Sequence, residues 1–198
     1  MKKFLSLFTG LFLVLVVAGS ASATPIDFNA YSFKTGQPGG GSSGSTYGIW
    51  ANGAGIGVWK DTWLNFDIPV TIMADTIMHI GVRDFNPNHE ILGMQFLDSY
   101  VSPSLESSQA FSFAGSQMNW GNLDYRTVGT DWNYFDIKVG EHFTGTFGGI
   151  VFFSDNDVDP TGGGQFRNLE FNAVPEPATM LLFGLGLLGL AGVSRKKK

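Results

Sequence analysis

Cysteine is absent from this 198-residue sequence, and histidine occurs three times. Without cysteine the protein has no disulfides, no thiolate metal site and no cysteine nucleophile, so its fold depends on a hydrophobic core. The histidines at positions 79, 89 and 142 do not have the spacing of a zinc-protease motif, and no Gly-x-Ser-x-Gly motif is present. We therefore expect a protein that is not an enzyme.

Basic residues are outnumbered by acidic ones, 12 to 17, and the formal net charge is −5. Six of the 12 lie near the two ends, which leaves residues 24–172 with six basic and 16 acidic residues, a charge of −10. So negative a surface repels phosphate backbones, and we expect no nucleic-acid partner. It suits a soluble protein outside the cell, or one that captures a cation.

The first 23 residues have the pattern of a secretory signal peptide. Two lysines precede an apolar run over residues 4–17, and the small residues Ala21 and Ala23 follow it. This order predicts cleavage by signal peptidase between Ala23 and Thr24. The remainder of the chain is therefore expected outside the cytoplasm.

Residues 24–172 form the predicted folded domain. Within it, residues 35–48 are rich in glycine and serine, which predicts a flexible loop. Beyond this loop, short runs alternate between apolar and polar residues, as at Leu64, Phe66 and Ile68, and turn-forming residues separate the runs. These features predict an all-β fold, a β-sandwich or jelly roll.

Residues 173–198 have three parts. A Pro-Glu-Pro motif precedes an apolar segment, 178–193, and a basic end, 194–198. As a helix the apolar segment is about 24 Å long, short for a hydrocarbon core of about 30 Å, and the basic end favours the cytoplasmic side. We expect a single transmembrane helix that holds the domain outside the inner membrane. The motif consists of Val174, Pro175, Glu176 and Pro177, and the basic residues are Arg195, Lys196, Lys197 and Lys198.

This tripartite tail resembles the PEP-CTERM sorting signal of exopolysaccharide-producing Gram-negative bacteria. The resemblance implies an exosortase, a membrane-embedded transpeptidase-like cysteine protease, as a partner. It also implies removal of the tail, followed by transfer of the domain to the cell surface or its release into the extracellular matrix. A plain C-terminal membrane anchor is the alternative.

A second resemblance covers residues 71–171. This part of the chain resembles small β-jelly-roll modules of secreted bacterial proteins. The segments that carry the resemblance are ADTIMHIGVRDF, HEILGMQFLDS, GQFRNLEF, and DWNYFDIKVG with the run that continues to Pro160. Such modules occur beside polysaccharide-active enzymes. The resemblance implies a carbohydrate-binding module with extracellular polysaccharide as its partner.

The run SDNDVDP contains three alternating carboxylates, Asp155, Asp157 and Asp159. Clustered carboxylates outside the cell are hard oxygen ligands that suit calcium, the one cofactor that the sequence suggests. An EF-hand is excluded because Pro160 and Phe166 stand where that loop needs glycine and glutamate. The alternative to a calcium site is an Asp/Asn-rich turn that closes a strand.

Four aromatic residues are candidate ligand-binding residues, because they lie in or beside predicted loops or on polar faces, where flat rings can stack on sugars. These are Trp120, Tyr125, Trp132 and Tyr134. Packing against a sheet is the alternative role for each. Three other tryptophans are expected to serve the core, and these are Trp50, Trp59 and Trp63.

The sequence thus favours an exported, non-catalytic surface or matrix protein that associates with polysaccharide. Two alternatives stay open. One is a purely structural matrix protein without a specific ligand. The other is a polysaccharide-cleaving enzyme, which requires two carboxylates facing each other across a cleft.

Overall fold

The computed structural model describes residues 23–36, 46–85, 90–100, 107–117, 119–122, 125–126, 129–156 and 161–173. These residues belong to one compact unit, Ala23–Ala173. The predicted signal peptide up to residue 22, the sorting segment from residue 174 onward, His89, Asp157 and Asp159 lie outside the described residues. Within the described part of the chain, no helix is long and apolar enough to cross a membrane.

Twelve β-strands and four short 3-10 turns make up the regular structure of the described residues. The strands are β1 (Phe33–Gly36), β2 (Thr46–Trp50), β3 (Gly55–Trp59), β4 (Thr62–Phe66), β5 (Val70–Ile72), β6 (Thr76–Asp84), β7 (Ile91–Leu97), β8 (Ala110–Ala114), β9 (Asn133–Ile137), β10 (Gly145–Phe147), β11 (Gly149–Asp155) and β12 (Gly163–Ala173). The 3-10 turns are Phe28–Ala30, Ala51–Gly53, Ser107–Gln109 and Val139–Glu141. Strands β1 and β2 extend into both ends of the segment 35–48, whose composition predicts a loop.

The strands form two five-stranded antiparallel sheets and one two-stranded ribbon. The first sheet has the order β1-β4-β11-β7-β8, the second has the order β2-β3-β12-β6-β9, and β10 pairs with β5. Neighbouring strands within each sheet are mostly far apart in sequence, so the chain crosses repeatedly between the sheets. This arrangement is a β-sandwich, and the all-β prediction is confirmed.

The core between the sheets is rich in phenylalanine. On β6 the inward residues Met78, Ile80 and Val82 are buried, whereas the alternate residues point outward, as the period of two requires. Strand β11 is buried along almost its whole length at the centre of the first sheet, as its unbroken apolar run predicts. Seven phenylalanines of this core are fully buried: Phe28, Phe66, Phe96, Phe111, Phe113, Phe152 and Phe166.

The outward face of the first sheet carries a smaller apolar cluster. Its buried members are Ile91, Leu97, Val151 and Phe153, and the partly buried Trp63 and Trp120 pack against them. Trp63 therefore has a packing role, in this smaller cluster rather than in the main core. The outward face of the second sheet differs, because it carries polar as well as aromatic side chains.

Candidate functional site

Register across the second sheet brings polar and aromatic side chains into one row. Trp50 pairs with Gly55, Gly55 pairs with Arg167, Arg167 pairs with Gly81, and Gly81 pairs with Tyr134. Directly paired residues of antiparallel strands project to the same face. Because Ile56 and Val58 of β3 face the core, the row that contains Gly55 faces outward.

The next row on this face contains Gly48, Gly57, Gln165 and Arg83. Arg83 donates hydrogen bonds from Nε and Nη2 to Oε1 of Gln165, at 2.9 and 2.6 Å. These two bonds tie β6 to β12 and hold the Arg83 guanidinium in one orientation. Its Nη1 group takes no part in them.

Three glycines in these rows allow aromatic rings to lie directly on the backbone. A Cβ atom on Gly55 would stand 2.6 Å from the Trp50 ring, and one on Gly81 would stand 2.9 Å from the Tyr134 ring. Gly57 is covered in the same way by the ring of Trp59. Side-chain atoms do not approach so closely, so any larger residue at these positions displaces a ring.

Two guanidinium groups stack against the rings. Cζ of Arg167 lies 3.9 Å from the centre of the Trp132 ring and 5.1 Å from that of Tyr134. Cζ of Arg83 lies 4.7 Å from the ring centres of both Trp132 and Phe85. These distances fall within the range of cation–π attraction.

Trp132 joins the two sides of this surface, since its ring centre is 5.8 Å from that of Trp50. We call the whole surface the aromatic–arginine face. It comprises Trp50, Trp59, Phe85, Trp132, Tyr134, Arg83, Arg167 and Gln165.

The face remains open to a ligand. The Tyr134 side chain is 58% exposed and Phe85 is 36% exposed, while Trp50, Trp59 and Trp132 are half-buried. Two donors on the face, Nε of Arg167 and Nε1 of Trp50, are buried without a hydrogen bond to any described residue. A buried donor without an acceptor costs free energy.

The four candidate aromatic residues do not lie together. Trp132 and Tyr134 belong to the aromatic–arginine face, as described above. Trp120 packs edge-on against Phe153 on the first sheet, with ring centres 5.2 Å apart. Tyr125 packs at the border of the main core, against Phe111 and other rings.

Trp50 and Trp59 do not serve the core, contrary to the sequence-based expectation. Both project outward from the second sheet, because the residues that alternate with Trp59 along β3 are the core residues Ile56 and Val58. The local sequence GIGVW contains this signal, since its period of two groups Trp59 with two glycines rather than with the branched residues. The contributions of Arg83, Arg167 and Gln165 depend on cross-strand register and carry no such local signal.

A polar cluster centred on His79 lies farther along the same sheet face. Nδ1 of His79 contacts Oδ1 of Asp136, and Asn172 donates from Nδ2 to His79 Nε2 at 2.7 Å. The amide donor on Nε2 places the imidazole proton on Nδ1, where it donates to the carboxylate. Both ring nitrogens are therefore occupied, and neither contacts a nucleophilic side chain.

The proposed calcium ligands fall mostly outside the described residues. Asp155 ends β11, and its carbonyl accepts a hydrogen bond from the Glu90 amide at 3.0 Å. Among the residues that the structure describes, no three histidine or acidic residues are grouped closely enough to hold a metal ion. Calcium binding by Asp155, Asp157 and Asp159 stays a prediction.

Comparison with solved structures finds several similar proteins at low sequence identity. The glycoside hydrolase domain of Spr0440, Endo-D from Streptococcus pneumoniae R6, has 8% identity and a TM-score of 0.45, covering 74% of this chain and 22% of that one. The family 11 carbohydrate-binding module of the cellulase Lic26A-Cel5E of Clostridium thermocellum has 11% identity and a TM-score of 0.41, covering 79% and 97%. The xylan-binding module CBM15 has 15% identity and a TM-score of 0.40, covering 79% and 98%.

Comparison with curated protein sequences finds no match. Comparison with protein families matches the tail of the chain. Residues 173–196 carry the PEP-CTERM protein-sorting motif, which confirms the predicted sorting signal and implies exosortase-dependent export.

Proposed function

We propose that this protein is an exported, non-catalytic module that binds extracellular polysaccharide through its aromatic–arginine face. The observation that carries the proposal is the single outward sheet face on which Trp50, Trp132 and Tyr134 accompany two guanidinium groups. Flat rings offer apolar contact to the C–H faces of sugars, and the neighbouring donors match sugar oxygens.

The glycine rows support a binding role over a purely structural one. A surface that serves solvation alone does not require three aromatic rings to lie directly over Gly55, Gly57 and Gly81. Half-exposed aromatic rings and donors without acceptors cost free energy in the unliganded protein. A bound glycan offsets the cost of the exposed rings, because it covers them.

The non-catalytic part of the proposal is supported by His79. Its two ring nitrogens are engaged by Asp136 and Asn172. A general base needs a free nitrogen within hydrogen-bond reach of the reacting group. We therefore assign this cluster a structural role at the border of the binding face.

For the route to the cell exterior, we propose cleavage by signal peptidase between Ala23 and Thr24. The helix 178–193 then holds the protein in the inner membrane of a Gram-negative cell. Exosortase processing at the motif Val174–Pro177 transfers the domain to the cell surface or to the extracellular matrix. We further propose that Asp155, Asp157 and Asp159 bind calcium, with an affinity of order 0.1–1 mM, as is usual outside the cell.

Affinity electrophoresis of the mature exported protein against a panel of soluble polysaccharides tests the binding function. We expect retardation by at least one polymer, and about tenfold or greater loss of affinity in Trp132→Ala, since central aromatic residues dominate binding energies. Tyr47→Ala is the matched control, because Tyr47 is 42% exposed but contacts Phe33 rather than the face.

Absence of retardation by every polymer supports the structural matrix protein instead. Release of reducing ends from a retarding polymer supports the polysaccharide-cleaving enzyme. An equal loss of affinity in Trp132→Ala and Tyr47→Ala would show that the aromatic–arginine face is not the binding site.

A further inference from the structure

We infer that the polysaccharide bound by the aromatic–arginine face is anionic, with carboxylate groups of the kind that uronic acids carry. This inference rests on the proposed binding function and names the substrate class of the same face. It is carried by Arg83 and Arg167, which lie on that face.

The two arginines concentrate positive charge on a negative domain. Residues 24–172 contain six basic and 16 acidic residues, and two of the six basic residues lie on this one face. Among the described residues, Lys138 forms an ion pair with Glu141, and His79 contacts Asp136. Neither Arg83 nor Arg167 forms an ion pair with a described residue.

The two guanidinium groups are also held close together. Both stack on the Trp132 ring, at 4.7 and 3.9 Å from its centre. Their Cζ atoms therefore lie less than about 9 Å apart, a separation at which like charges repel unless an anion lies near both. A sugar carboxylate that spans this gap removes the repulsion and supplies acceptors to both groups.

Each arginine keeps donors available for such an anion. Arg83 uses Nε and Nη2 for Gln165, which leaves its Nη1 group. The Arg167 guanidinium stacks on the Trp132 and Tyr134 rings, and its Nε is buried, so its Nη groups are the donors that can meet an anion. The rings that flank both groups lower the local dielectric constant, which strengthens a charge-assisted hydrogen bond.

A bulge in β12 bounds the positive region. Glu170 lies three positions after Arg167, so a regular strand would place the two side chains on opposite faces. The register shifts between them, with Asn168 at φ 52°, and both therefore face outward. Glu170 pairs with His79, which is bonded to Asp136, and these carboxylates make the far end of the face acidic. Asp131 precedes Trp132 in the sequence. An anion is therefore directed to the two arginine rows.

A competing explanation gives the arginines a mechanical role, in which they orient Trp132 for a neutral sugar. The two explanations differ in what happens when charge is removed from the ligand alone. The probes are polygalacturonate and alginate, each compared with the neutral polymer obtained by reducing its carboxylates, so that the linkage is constant and the charge is not.

Titration calorimetry of the mature exported protein is the measurement. We expect at least one acidic polymer to bind about tenfold more tightly than its reduced form. That preference should shrink when salt rises from about 0.05 to about 0.5 M, because salt screens exposed charges. Arg83→Met and Arg167→Met should each reduce the preference, since methionine keeps an unbranched apolar stem and removes the charge.

Lys34→Met is the matched control. It removes a cation that stacks on a ring, with Nζ 4.5 Å from the centre of the Tyr100 ring, but on a strand of the first sheet. We expect no change in its preference for the acidic polymer. Thermal melting of each variant shows whether the fold is retained.

Equal affinity for an acidic polymer and its reduced form overturns the inference and leaves the proposed binding function standing. Binding to neutral polymers alone has the same meaning. Binding to neither class overturns the proposed function and the inference together. An equal loss of neutral and acidic binding in the arginine variants supports the mechanical role and overturns the inference.

Discussion

At the scale of single residues, the outward aromatic side chains of this protein fall into two groups. Some lie on glycine backbone, and others lie on another aromatic ring. Trp50, Trp59 and Tyr134 rest on glycine backbone of the second sheet, and their outer surfaces remain available. Trp120 rests on the Phe153 ring, which is fully buried. The first situation suits binding, and the second suits packing.

Trp120→Ala should therefore lower stability without changing the affinity for polysaccharide. Removal of the indole exposes Phe153 and loses apolar contact, which corresponds to a loss of about 1–3 kcal/mol in the free energy of unfolding. Chemical denaturation measures the first effect, and affinity electrophoresis measures the second. Loss of affinity at unchanged stability would instead assign Trp120 to the ligand, as its sequence position suggests.

At the scale of elements, strand β3 shows how a short run builds the face. Its alternate residues Ile56 and Val58 enter the core, while Gly55, Gly57 and Trp59 remain outside. The glycines reduce the strand propensity of β3, yet pairing with both β2 and β12 retains it within the sheet. The absence of side chains at Gly55 and Gly57 is what brings the indoles onto the sheet.

Gly57→Ala should displace the Trp59 ring and weaken binding several-fold, because the new methyl group occupies the space of that ring. Gly48→Ala is an unusually close control, since Gly48 pairs directly with Gly57. A Cβ atom on Gly48 meets the Trp59 ring at 3.8 Å, an ordinary contact. Equal binding by the two variants would show that the position of Trp59 does not matter.

At the scale of the whole molecule, charge and sorting determine behaviour. The domain carries a charge of −10. Its tail carries the PEP-CTERM motif at residues 173–196. The first property concerns ion binding, and the second concerns where the protein is delivered.

Calcium at about ten times its dissociation constant should stabilise the mature protein by about 1.4 kcal/mol, since a ligand that binds the folded state alone shifts the unfolding equilibrium. For a domain of this size the melting temperature should rise by about 3–6 °C. Thermal melting with calcium, with magnesium and with a chelator measures the effect. An unchanged melting temperature, or an equal rise in an Asp157→Asn variant, would show that Asp155, Asp157 and Asp159 do not form a calcium site.

Replacement of Pro175, Glu176 and Pro177 by alanine should block exosortase processing while export continues. The uncleaved protein should then accumulate in the membrane fraction of the native host, because the apolar segment 178–193 is retained. Immunoblotting of membrane, surface and medium fractions measures this distribution. Release of the variant at the normal rate would show that another feature of the tail directs processing.

Much of this architecture was predictable from local patterns. Alternation along β6 and β9 and the unbroken apolar run of β11 predict strands, because a strand has a period of two regardless of its neighbours. The sorting motif is equally local, since a membrane enzyme reads it as a short linear segment. Strand edges at residues 35–36 and 46–48 were not predictable, because pairing with β4 and β3 overrides their loop-like composition.

The sequence alone thus predicted an export signal and determined the sorting tail, the acidic charge and the all-β class, each of which is a property of consecutive residues. The tertiary structure alone decided that Arg83, Arg167, Trp50 and Trp132 meet on one face. These residues lie on or next to strands β6, β12, β2 and β9, which are remote in sequence. Cross-strand register brings them together, and register depends on how all five strands bury their apolar faces at once.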